Sequence, residues 1–138
     1  MIPEYLHLAS TLLMAGLILF VQVVHYPLMA HVGDPYTTYQ RHHMRRTGLV
    51  VGPLMLVELT TAVWLVVHPP APGLTGLAWV GVGLLAVIWA STGLLQAPAH
   101  ARLTEGFDAG VHRRLVRSNW IRTVAWLARV PVAVALAQ

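Results

Sequence analysis

The chain has no cysteine and no lysine, and only 10% of its 138 residues are charged. The first absence excludes disulfides, thiolate catalysis and cysteine-ligated metal sites, so any metal here would take imidazole, carboxylate or amide ligands. The second makes arginine the whole source of the net charge of +4. Asp and Glu together number five, too few to solvate the surface of a water-soluble domain of this size. What fills the chain instead is apolar: 57% of residues, with a mean hydropathy of +0.64, values that point to a lipid environment.

Four apolar stretches of membrane-spanning length, about 20 residues each, run from Tyr5 to Val24, Thr47 to Val67, Leu74 to Gln96 and Leu115 to Ala137. The expected fold is all-α, a four-transmembrane-helix bundle forming one domain over residues 1–138, because the intervening connections leave no linker to separate two cores. The first stretch lacks a positive leading segment and a small-residue cleavage site, so it is read as a retained span. Alternating direction puts His25, His31, His42, His43, His100 and His112 at one end of the bundle, and His7 and His68 at the other. Arg41, Arg45, Arg46, Arg102, Arg113, Arg114 and Arg117 share the histidine-rich end. By the positive-inside rule that end is cytoplasmic and both termini face outward. Topology and lipid phosphates account for these arginines, and no nucleic-acid partner is expected.

The two halves of the chain resemble each other. Gln22-Val-Val-His25-Tyr-Pro27 closes the first span and Gln96-Ala-Pro98-Ala-His100 the third; His42-His43-Met44-Arg45-Arg46 and His112-Arg113-Arg114 open the second and fourth. Two helical hairpins related by an axis along the membrane normal would produce this pattern, and so would chance likeness between apolar hairpins. Small residues at Gly76, Gly83, Ala86, Ala90, Gly93 and Ala97, with Gly48 and Gly52 in the second span, are expected to allow close helix packing.

Charged groups within the spans carry the most information, because each costs about 2.5 to 3.5 kcal/mol at the bilayer centre. Glu58 lies 11 residues into the second span and Arg129 11 residues beyond Ser118 in the fourth. Both helices run the same way, so the two side chains share a depth and are expected to pair. Arg122, two turns before Arg129 on the same face, is expected to snorkel or to join Asn119. The simplest use of these groups is a clamp fixing helix register, with the histidines as interfacial residues. A proton-coupled carrier would instead use Glu58 as its titrating site and Pro53 as a hinge. A third possibility is a site at the cytoplasmic end, a lipophilic pocket lined by His25, His43, His100, His112, Asn119 and Arg122. Imidazoles from several helices, His25, His43, His100 and His112, would there suit Cu, Fe or Zn, or hold haem, although no compact ligand motif such as H-E-x-x-H is present.

The run Leu115-Val-Arg-Ser-Asn119-Trp120-Ile-Arg122-Thr123-Val, followed by Trp126, resembles the last helix of the anthrone-oxygenase-like family of small four-helix membrane proteins. Pro98-Ala-His100-Ala-Arg-Leu103 matches that family's preceding proline-and-polar segment, so the likeness covers about the last 40 residues and neither of the first two spans. The resemblance implies oxygenation of an activated carbon on a flat, lipophilic aromatic or quinone-like substrate. A histidine (His25, His100 or His112) or a carboxylate (Glu58) would take the proton, and Arg122 would stabilise the developing oxyanion. Asn119, Trp120, Trp126 and Arg129 are the candidates for binding substrate or cofactor. A non-enzymatic membrane subunit, monomeric or self-associated, is the competing class.

Overall fold

The structure is a computed structural model describing residues 1–138. It is all helical: α1 (Ile2–Met29), α2 (Tyr36–Val67), α3 (Pro72–Glu105) and α4 (Ala109–Leu136). The first three are long and apolar enough to cross a membrane. The fourth falls short of that apolar content, since Asn119, Arg122 and Arg129 punctuate the stretch that the sequence presents as a fourth span.

All four helices extend beyond the apolar stretches. α2 begins at Tyr36, three turns before Thr47, and α3 continues through Glu105. Hydropathy marks where a helix meets lipid; it does not mark where backbone hydrogen bonding stops. The connections therefore shrink to residues 30–35, 68–71 and 106–108. Of the six histidines assigned to that end, only His31 lies in a connection, fully in the open; the others sit on helices. Gly33, at φ +75, supplies the left-handed turn that redirects the chain toward α2, and Asp108 caps α4 by accepting the Val111 N–H at 2.9 Å.

The helices form a square in which α1 and α3 each pack on both α2 and α4. Met14, Ile18, Met55, Leu85, Ile88 and Trp126 fill its middle. Tyr26, Met29, Tyr36, Leu103 and Leu115 close the histidine-bearing end, and Leu65, Ala78, Val132 and Leu136 the other. The expected small-residue seam is absent from this packing. Gly76, Gly83, Ala86, Ala90, Gly93 and Ala97 are all exposed, and a Cβ at Gly76, Gly83 or Gly93 would meet nothing within 4 Å. Their periodicity identifies one face of α3, but it is the outer face. Close approach to α4 falls instead to Gly81, where a Cβ would meet Val132 at 3.3 Å.

Two helices widen at matching places. Val21–His25 in α1 and Thr92–Gln96 in α3 are single π-helical turns, each two residues before a proline, Pro27 or Pro98. Proline lacks the N–H and crowds the carbonyl four residues back, and a wider turn relieves that crowding. The two turns lie 71 residues apart, as do the two prolines and as do Glu58 and Arg129. In this register His25 corresponds to Gln96 and His100 to Met29, so the histidines of the two halves do not superpose.

Candidate functional site

Polar side chains inside the bundle form two separate clusters. The first lies at mid-length, where Glu58 from α2 and Arg129 from α4 meet across the axis, 0% and 1% exposed. Glu58 Oε1 accepts from Arg129 Nε at 3.0 Å and from Thr11 Oγ1 at 2.9 Å, while Oε2 accepts from Trp126 Nε1 at 2.9 Å. The rest of the guanidinium donates to the Gly81 carbonyl and to His7 Nε2, the latter at 3.3 Å. His7 then carries its proton on Nδ1, 2.9 Å from Thr61 Oγ1. Each helix contributes a partner, and both charges are satisfied. The expected pairing of Glu58 with Arg129 is present, and it absorbs Trp126 and Arg129, which leaves neither free to line a pocket.

The second cluster occupies the histidine-bearing end. Its centre is Arg122, 8% exposed and without a carboxylate partner. Nε and Nη2 donate to Asn119 Oδ1 at 2.9 and 2.5 Å, Nη1 to Thr92 Oγ1 at 3.2 Å, and Nη2 also to the Tyr26 hydroxyl oxygen at 3.4 Å. Asn119 is fixed in turn by donating to Gln22 Oε1 at 2.8 Å, and Gln22 donates to the Val116 carbonyl at 3.1 Å. Gln22 lies inside the widened turn of α1 and Thr92 begins that of α3. Both π turns thus contribute side chains that converge on Arg122 and its support.

Tyr26 joins this guanidinium to His100. The His100 Nε2 atom lies 2.8 Å from the Tyr26 hydroxyl, and Nδ1 lies 3.0 Å from the Gln40 amide nitrogen. An amide nitrogen only donates, so Nδ1 accepts and Nε2 carries the ring proton toward Tyr26. The Tyr26 oxygen then accepts from both His100 and Arg122. His112 stands apart from the other histidines: its Nε2 donates to the Tyr26 carbonyl at 2.7 Å.

In front of His100 lies an open cleft of about 430 Å³ lined by His25, Tyr39, His42, His43, Arg46 and Thr47. Two of these imidazoles are bonded to each other, His25 Nε2 to His43 Nδ1 at 3.0 Å, with ring centroids 4.4 Å apart. Tyr39 and Thr47 hold the pair, the Tyr39 hydroxyl 3.4 Å from His25 Nε2 and the Thr47 hydroxyl 3.1 Å from His43 Nδ1. His25 Nδ1 and His43 Nε2 have no protein partner. The His43 and His100 rings are 5.7 Å apart, so the buried cluster backs directly onto the cleft.

Of the six residues expected to line a pocket here, His25 and His43 do so. His100, His112, Asn119 and Arg122 are buried behind it, each engaged by protein partners. Trp120 is 48% exposed on the outside of α4, away from the cleft. The set His25, His43, His100 and His112 does not assemble as a metal centre: no three His, Asp or Glu side chains are arranged to hold an ion, and the two nearest imidazoles use ring nitrogens on each other. Tyr26, Tyr39, Gln40 and Arg46 were passed over in the sequence. Tyr26 had a usable signal, a hydroxyl beside a proline at the end of an apolar span; Arg46 was hidden among arginines explained by topology. The chain matches no protein-family model, no curated protein and no solved structure.

Proposed function

We propose that this is an integral membrane protein with four helices across the bilayer, the arginine-rich end in the cytoplasm and both termini outside. The belt of exposed Leu, Val, Phe and Trp side chains supports lipid as its surroundings, and the buried polar face of α4 is covered by the three apolar helices. The 71-residue spacing of the π turns and of the Glu58 and Arg129 pair supports descent from a duplicated helical hairpin.

Within that frame we propose an oxygenase-type oxidoreductase of the anthrone-oxygenase-like kind, acting on a flat lipophilic aromatic with an acidic C–H. The observation that carries this reading is the bonded pair His25 and His43 in the wall of an open cleft beside Arg46. The free nitrogen of whichever ring donates in the pair takes the proton, and the other ring keeps accepting from the imidazolium that results. Arg46 faces the charge left on the substrate, and Arg122, through Tyr26 and His100, adds positive potential from behind. The carbanion gives one electron to O2, the radicals combine to a peroxide, the peroxide takes a proton, and loss of water leaves a ketone. One CH2 group and one O2 thus become one C=O and one water, with no external reductant. Glu58 has no place in this chemistry, because it is fully buried, both its oxygens are occupied and it lines neither the histidine cleft nor the recess between α3 and α4; its closed environment supports a clamp in preference to a proton-coupled carrier.

The test uses purified protein in detergent, anthrone as substrate, and two readouts, oxygen consumption and anthraquinone absorbance, against detergent alone. Accelerated oxidation that falls about 100-fold in His25→Ala or His43→Ala, with the variants extracting normally, is the expected result. No acceleration over detergent would overturn the oxygenase reading.

A further inference from the structure

A second recess lies on the opposite flank of the histidine-bearing end, between α3 and α4. It encloses about 610 Å³ and is lined by Leu94, Leu95, Pro98, Ala99 and Leu115 below Arg102, Arg114 and Arg117. The recess combines two kinds of surface. Leu94, 75% exposed, and Leu95 sit in the π turn of α3; Arg102 stands two turns further along α3, and Arg114 and Arg117 face the recess from α4. None of the five acidic residues lines the recess, and neither ion pair of the chain uses its arginines. Asp108 acts on Arg102 and Arg113 through space, but its hydrogen bonds go to the Val111 and Gly110 amides and it forms no ion pair with either. Three arginines over an apolar floor, with no acidic residue in the lining, suit a ligand with a negative head and a hydrocarbon body.

We infer that this recess binds an anionic phospholipid of the surrounding leaflet, its phosphate between Arg102, Arg114 and Arg117 and an acyl chain against Leu94 and Leu95. The apolar side chains that line it together with the arginines distinguish it from a generic basic surface. Arg41 and Arg45 on α2 are equally exposed but line neither cleft. Ser118 gives the recess a link to the interior: it accepts from Gln96 Nε2 at 3.0 Å, and Gln96 Oε1 accepts from Ser91 at 2.9 Å. The inference rests on the chain spanning a bilayer.

Native mass spectrometry of the detergent-solubilised chain, titrated separately with dioleoylphosphatidylglycerol and dioleoylphosphatidylcholine, tests it. One phosphatidylglycerol per chain should be retained in preference to phosphatidylcholine. Arg114→Gln with Arg117→Gln should weaken that binding about 25-fold, at about fivefold per arginine, while the charge-matched Arg41→Gln with Arg45→Gln should change it less than twofold. Leu94→Asn should weaken both lipids. Equal retention of the two lipids, or equal loss in the two double variants, would overturn the site. Alkaline carbonate extraction of the expressing cells separates the two levels: a chain that stays in the membrane but shows no lipid preference refutes the recess alone, and a chain that washes off refutes the membrane reading and the recess together.

Discussion

Two arginines lie buried in α4, seven residues apart, and their surroundings differ in one respect. Arg129 has a carboxylate, Glu58, and the remaining atoms of both groups are bonded. Arg122 has only neutral acceptors: an amide, a threonine hydroxyl and a tyrosine hydroxyl. A neutralised pair closed on all sides holds four helices together and has no charge left to act on a ligand. A guanidinium held by dipoles alone keeps its field, and here that field is aimed through Tyr26 and His100 at a cleft. The difference separates a structural centre from a candidate catalytic one within a single helix.

The comparison breaks most visibly at the closed centre. Arg129→Met should strand the Glu58 carboxylate and cost about 3 to 5 kcal/mol, while Glu58→Gln combined with Arg129→Met should cost much less than the two singles added together. Denaturant titration of the detergent-solubilised protein, followed by helical circular dichroism, reads the cycle. Additive losses would mean that the two groups are not energetically partners.

Arg122 sharpens the contrast with a smaller effect. Arg122→Gln leaves no carboxylate unpaired, so its stability cost should be about 1.5 kcal/mol, the loss of charge-assisted bonds to Asn119. Its larger consequence should be kinetic: kcat for anthrone oxidation reduced about tenfold with KM unchanged, because Arg122 stands behind the cleft and acts on developing charge. An unfolding cost equal to that of Arg129→Met would erase the distinction between the two centres. A rise in KM alone would place Arg122 in substrate binding.

How much of this was legible in the sequence follows the same division. Glu58 and Arg129 could be paired on paper because charge inside an apolar run is expensive, and two parallel helices set their depths equal. The cleft could not be drawn in the same way. Hydropathy assigned His42, His43, His100 and His112 to connections, whereas they ride on helical extensions whose faces decide which of them meet. His25 and His43 come together; His112 turns to a backbone carbonyl. Periodicity also gave the small residues of α3 a common face without saying which way that face points, and it points outward. Gly81, which does make the close approach, belongs to no repeating pattern.

The smallest expected effect concerns what holds α4, and so both arginines, at its start. Asp108 caps the helix through the Val111 N–H, and this bond together with the Gly110 amide holds its carboxyl below the usual carboxylate range. A group depressed in the folded state stabilises the fold at every pH above its ordinary unfolded value, and the contribution disappears as acid carries the pH down through the folded value. The Asp108 contribution should therefore be level from neutral pH down to the ordinary carboxylate range and decline below it. Asp108→Asn keeps a capping oxygen but cannot titrate, so it should match the parent at neutral pH and remove this part of the acid decline. Hydrogen exchange at the Val111 amide, compared at neutral and acid pH in both proteins, is the direct measurement. Equal acid loosening of that amide in Asp108→Asn would assign the decline to another group and leave the cap without a pH-dependent role.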